Sequence, residues 1–144
     1  MKIDSHHHFW KYDPVRYSWM NESMEVLKKD YQPDDLLLET ERKGIDGVVS
    51  VQADQSILET DELLEHAARH DFIKGVVGWF PLVDPSVEDL LTKYAENPWL
   101  KGVRHVVQDE PDDRFILGEA FNEGIRKLRQ FDLVYDVLIY ERQL

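Results

Sequence analysis

The chain predicts an α/β fold with a parallel sheet buried on both faces, and three observations carry that prediction. Short apolar runs rich in β-branched residues recur along the sequence, bounded by Gly, Pro and Asp. Segments with helical spacing separate them, as crossovers between parallel strands require. Polar residues gather at the C-terminal ends of those runs, the edge where parallel sheets place their binding sites.

Length and composition narrow the class. The chain has 144 residues, 42% hydrophobic, with four Trp, six Tyr and six Phe, enough to bury the core of one domain. It contains no cysteine, so disulfides and thiolate chemistry are excluded and a cytoplasmic location is expected. No apolar run is long enough to span a membrane. A formal net charge of −12 argues against nucleic acid and anionic membrane as partners. An anionic ligand would need local cations.

The first strand begins at Lys2-Ile3-Asp4-Ser5, with Ile3 expected to point into the core. An aromatic-rich, Pro-broken loop then reaches to about Gln32; loops this long in compact domains are often functional. Pro33-Asp34-Asp35 opens a helix that ends before Gly44, a C′ glycine. The second strand spans 45–53. A helix covers 56–70, started by Ser56 and patterned by Ile57, Leu58, Leu63, Leu64, Ala67 and Ala68. A third strand at 73–80 stops at Pro81. A helix from Asp84 to about Glu96 and a strand at 100–107 follow. After an acidic loop over 108–114 come a helix around 119–130 and a fifth strand at 133–140. No Gly-x-Gly-x-x-Gly or Walker pattern follows any strand, so nucleotide binding has no support. Both an open doubly wound sheet and a closed barrel satisfy this pattern.

The first strand runs into His6-His7-His8-Phe9-Trp10. Alternate strand residues share a face, so His6 and His8 are expected together, with Asp4, and His7 opposite. Two imidazoles so placed can bind one metal ion or grip one substrate oxygen. A solvated His run at a frayed terminus is the bland alternative; Phe9-Trp10 directly after it argues for a site. Gln52 and Asp54 follow the second strand, and Trp79 the third. Arg104, His105 and Gln108 belong to the fourth, and Tyr140, Glu141 and Arg142 to the fifth. Trp79 alone would be core more often than ligand platform. Arg104 lies within Val-Arg-His-Val-Val and requires a partner if buried.

Three stretches together resemble a known family. Ile3-Asp4-Ser5-His6-His7-His8-Phe9-Trp10, Gly102-Val103-Arg104-His105-Val106-Val107-Gln108-Asp109 and 135–144 are similar, in order, to motifs of the amidohydrolase-related sugar lactonases. That group includes L-fuconolactonase and L-rhamnono-lactonase and is related to 2-pyrone-4,6-dicarboxylate lactonase. The resemblance implies a distorted (β/α)8 barrel that hydrolyses the ester of a small lactone. It maps the His-x-His motif onto His6 and His8 as catalytic residues or metal ligands, and assigns Arg104 to substrate. His105 and Tyr140 sit at matching positions, and Gln52 and Trp79 complete the expected substrate-binding set.

The resemblance also implies what is absent. Family members are about twice as long, the usual barrel size. The sixth-strand His and the eighth-strand Asp, the family's base, would lie beyond Leu144. The chain is therefore expected to be one barrel domain over 1–144 with its C-terminal half absent, a fragment inactive by itself. A second chain completing the barrel, or a homo-oligomer of half-barrels, is the alternative. One divalent metal, Zn or Mn, is the expected cofactor, although metal-independent members leave that open. Two rival functions remain: a decarboxylase or amidase of the same superfamily, and an inactive module binding a ligand or partner chain.

Overall fold

Parallel pairing in strict sequence order builds the sheet. The computed structural model describes residues 1–144. Strands β1 (Ile3–His7), β2 (Gly47–Val51), β3 (Ile73–Gly78), β4 (Leu100–Val106) and β5 (Val134–Leu138) lie side by side in the order β1-β2-β3-β4-β5, all parallel. A doubly wound sheet would reverse direction at a switch point; this one does not. It curls into half of a barrel, with helices α1 (Pro33–Lys43), α2 (Ile57–Arg69), α3 (Val87–Tyr94) and α4 (Glu119–Leu128) as crossovers.

Local chemistry sets the helix ends. Pro33 opens α1, where its missing N–H costs nothing, and the Asp35 carboxylate accepts from the Gln32 N–H at 3.0 Å. Gly44 ends it at φ 62°, the left-handed conformation glycine adopts without strain. Ser56 caps α2, its hydroxyl accepting from the Glu59 N–H at 3.2 Å. Helix α4 crosses the Leu82 backbone so closely that a Cβ at Gly124 would collide with the Leu82 carbonyl.

The main core lies between sheet and helices, around Val48, Leu63, Ile73, Val76, Phe80, Leu91, Val103, Phe121 and Leu128. Strands β2, β3 and β4 are buried almost throughout, as their sequences predict. The outer strands differ. Ile3 is 39% exposed, and Val134 and Val137 on β5 are 59% and 61% exposed. The expected inward Ile3 and fully buried fifth strand are therefore corrected. Each of these strands has a neighbour on one side only, so part of its apolar surface stays uncovered.

The long β1–α1 loop has a small core of its own. Trp10, Tyr17 and Met20 are buried together, and Trp10 and Tyr31 form an antiparallel bridge. Arg16 ties this loop across to α2, with Nη1 and Nη2 donating to Glu62 at 3.1 and 2.8 Å and Nε donating to Asp54 at 2.9 Å. The loop thereby stands at the C-terminal edge of the sheet. No helix is long and apolar enough to cross a membrane.

Candidate active site

The site starts from an irregularity in β1. Asp4 pairs with Val48 and His7 with Ser50, so β1 carries one residue more than β2 between those pairs. Val48 and Ser50 share a face of β2, and Asp4 is thereby carried to the face of His7. This corrects the expected grouping of Asp4 with His6 and His8. Its carboxylate accepts instead from the His6 backbone N–H at 3.1 Å, within the bulge. His7 turns toward Ser50, Nε2 lying 3.1 Å from the hydroxyl.

His6 and His8 converge. Their Nε2 atoms stand 3.2 Å apart, and Arg104 Nη1 lies 3.3 Å from the same nitrogen of His6. His8 Nδ1 donates to the Val51 carbonyl at 2.8 Å, which leaves its Nε2 as the acceptor facing the site. Burial pushes His8 down to about 4, aided by the Arg104 charge against the Val51 carbonyl. His6 is lowered by burial and then by Arg104, while Asp136 and Asp4 pull it up. Burial and Arg104 thus favour the neutral form of both imidazoles.

Arg104 is 6% exposed and is held by Gln52, which is fully buried. Its Nη2 donates to both the Gln52 backbone carbonyl and the Gln52 Oε1, the latter at 2.9 Å. Its Nε has no partner. Burial lowers the Arg104 pKa while Asp136 and Glu59 oppose the change. A cavity of 630 Å³ opens above this cluster, lined among others by His8, Arg16, Trp19, Asp54, Arg104 and Tyr140. Trp19 and Arg16 belong to the β1–α1 loop, and Tyr140 stands 44% exposed at the rim.

His105 and Trp79 do not join them. Neighbours in a strand point to opposite faces, so Arg104 toward the cavity sends His105 toward α4. There His105 stacks on Phe115 with centroids 5.1 Å apart, accepts from Trp79 Nε1 at 3.2 Å and lies 2.6 Å from Glu110. The expectation of these two as cavity residues is corrected on placement. Period-two alternation in Val-Arg-His-Val could have revealed the choice. The sequence reading also missed Asp136, which pairs with Arg104 across β4 and β5 and shares its face. Its signal was a lone charge within Val-Tyr-Asp-Val-Leu. Arg16 was passed over because its role depends on Asp54 and Glu62, distant in sequence.

The histidine pair suits a metal in part. Two nitrogens, each about 2.0–2.1 Å from a tetrahedral ion, lie roughly 3.3 Å apart, close to the separation of the two Nε2 atoms. The His8 Nδ1 bond to Val51 is the outer contact that metal-binding histidines use. No group of three His, Cys, Asp or Glu completes a shell. Residues 1–144 thus offer two nitrogens at metal-ligand spacing, short of the three or four protein ligands that zinc usually takes.

A curled parallel half-barrel with a polar cluster at its C-terminal edge has the architecture of the N-terminal half of a (β/α)8 barrel. The amidohydrolase family model matches residues 3–143, and the chain belongs to that family. The chain is 39% identical to an L-fucono-1,5-lactonase of Burkholderia multivorans over its whole length and 49% of that relative's. A second L-fucono-1,5-lactonase, from Burkholderia ambifaria, is 30% identical over 99% of the chain and 49% of its own length. The chain spans about half the length of the curated relatives it matches. Two crystal structures of an amidohydrolase from Burkholderia multivorans, one with bound HEPES and one with bound zinc, each superpose with a TM-score of 0.94 at 38% identity. They cover 99% of this chain and 50% of theirs.

Proposed function

We propose that this protein hydrolyses the ring ester of a small sugar-acid lactone. The observation that carries the reading is the approach of His6 to both His8, at 3.2 Å, and Arg104, at 3.3 Å, beneath the cavity. The two relatives named L-fucono-1,5-lactonase supply the substrate class. The buried Arg104 guanidinium suits a carbonyl oxygen that gains negative charge as water attacks, while the Nε2 lone pairs of the neutral histidines face the same space as acceptors or metal ligands. The new bond joins water oxygen to the carbonyl carbon, and the ring C–O bond breaks. The water proton passes to a base and then to the departing alkoxide, leaving an open hydroxy acid.

Gln52 orients Arg104, and the Arg16 clamp fixes the β1–α1 loop, whose Trp19 lines the cavity. A divalent ion, where bound, would be held by His6 and His8 and would polarise the carbonyl as a Lewis acid. The resemblance assigns the base to an eighth-strand Asp outside residues 1–144.

The test follows acid release from L-fucono-, L-rhamnono- and D-galactono-lactones with a pH indicator, with and without Zn²⁺ or Mn²⁺. One arm uses the 144-residue chain. The other adds the half of the Burkholderia multivorans relative that the chain does not cover. Hydrolysis in the second arm, lost with His8→Ala or Arg104→Ala, supports the reading. A stable complex without hydrolysis, or hydrolysis indifferent to both variants, overturns it.

A further inference from the structure

Asp136 shares a face of the sheet with Arg104, its register partner, and its carboxylate makes no hydrogen bond within the protein. Other carboxylates near this edge are engaged: Asp4, on the His7 face, accepts from the His6 backbone, and Asp54 accepts from Arg16 and from Ser56 at 2.6 Å. Glu59 accepts from the Ala53 and Asp54 N–H groups, both at 2.7 Å, and Glu110 lies against His105. Asp136 acts on Arg104 and His6 through charge alone, without a hydrogen bond to either. Its register partner is Arg104, and the next inward pair toward the C-terminal edge is Val106 with Leu138, both lining the cavity. Arg104 and Asp136 therefore stand one level below that rim, a donor and an acceptor about 4.8 Å apart in strand spacing. Arg104 also keeps a buried N–H with no acceptor. A guanidinium that lines the cavity and a carboxylate without a hydrogen-bond partner, at this spacing, match a ligand that offers an acceptor and a donor together.

We propose that Asp136 is a specificity residue, accepting a hydrogen bond from a ring hydroxyl of the lactone while Arg104 donates to the adjacent one. This rests on the lactonase reading and deepens it: the site selects polyhydroxylated rings over plain cyclic esters. A carboxylate accepting from a hydroxyl makes a charge-assisted bond, and its loss leaves that hydroxyl unmatched in a desolvated site.

The test uses neutral, unreactive rings and the 144-residue chain labelled with ¹⁵N. The probes are 1,5-anhydro-L-fucitol, which carries ring hydroxyls, and tetrahydropyran, which carries none. Dissociation constants come from amide chemical-shift titration. The unsubstituted protein is expected to prefer anhydrofucitol. Asp136→Asn should weaken that ligand about tenfold or more and leave tetrahydropyran unchanged. Asp136→Ser should behave alike, and serves if the amide of Asn disturbs packing. A preference for anhydrofucitol that survives both variants overturns the role of Asp136 and leaves the lactonase reading standing. Equal weakening of both probes makes Asp136 a structural counterion of Arg104, again overturning the inference alone. No preference for the hydroxylated ring in the unsubstituted protein overturns the inference alone; the lactonase reading stands or falls with the hydrolysis assay of the completed barrel.

Discussion

Gln52 and Arg104, fifty-two residues apart, form one rigid unit: Arg104 Nη2 donates to both the backbone carbonyl and the side-chain oxygen of Gln52. Gln52 Nε2 reaches back to the Arg104 carbonyl at 3.5 Å. An arginine buried to this extent needs acceptors, and Gln52 provides them without adding a charge.

Gln52→Leu should therefore destabilise the protein by about 1–3 kcal/mol, because the guanidinium loses a buried acceptor. A double-mutant cycle with Arg104→Met in urea should show the two residues coupled by at least about 0.5 kcal/mol. Additive losses would show that Gln52 does not hold Arg104.

Stability should depend on pH through two opposed sets of groups. Burial lowers His7 and His8 to about 4 from 6.5. Between those values the unfolded chain binds protons that the folded chain refuses, so stability falls as pH drops from 6.5 toward 4. Glu59 runs the other way, raised by burial to about 7 from 4.5 against hydrogen bonds from Asp54, Ala53 and Tyr17. The folded state there holds the extra proton, so stability falls as pH rises from 4.5 through 7. His7→Gln should flatten the acid side of a urea-midpoint profile. Glu59→Gln should make the rise from pH 5 to 7 steeper. The reverse pattern would refute both assignments.

Arg16 should govern the order of the β1–α1 loop. Its two bonds to Glu62 and one to Asp54 use the planar fork of the guanidinium, which lysine lacks. Arg16→Lys should therefore behave nearly as Arg16→Ala, and both should speed chymotryptic cleavage at Tyr17 and Trp19 several-fold. Cleavage rates equal to those of the unsubstituted protein would show that the aromatic core of Trp10, Tyr17 and Met20 suffices.

Gly124→Ala should cost about 1–3 kcal/mol, since the added methyl meets the Leu82 backbone carbonyl, which is not a flexible side chain. Ala is the better helix former, so propensity alone predicts a gain. The sign of the shift in thermal midpoint decides between them.

Local pattern was enough to read five strands and four helices along the chain, while their order in the sheet took the resemblance or the structure to decide. Ser56, Pro33 and Gly44 marked helix ends because capping acts within a turn or two of chain. The approach of Arg104 to His6 was anticipated from strand ends, since parallel strands bring their C-terminal residues to one edge. The rest was decided by pairing between distant segments. An extra residue in β1, seen against β2, moved Asp4 off the histidine face, and no property of residues 3–8 alone specifies it. The choice of Arg104 over His105 as the inward residue followed from Gln52 and His6 on one side and Phe115 and Glu110 on the other. Asp136 gained its place only through register with Arg104. Periodicity states which residues share a face; only packing against partners far along the chain states which face meets the cavity.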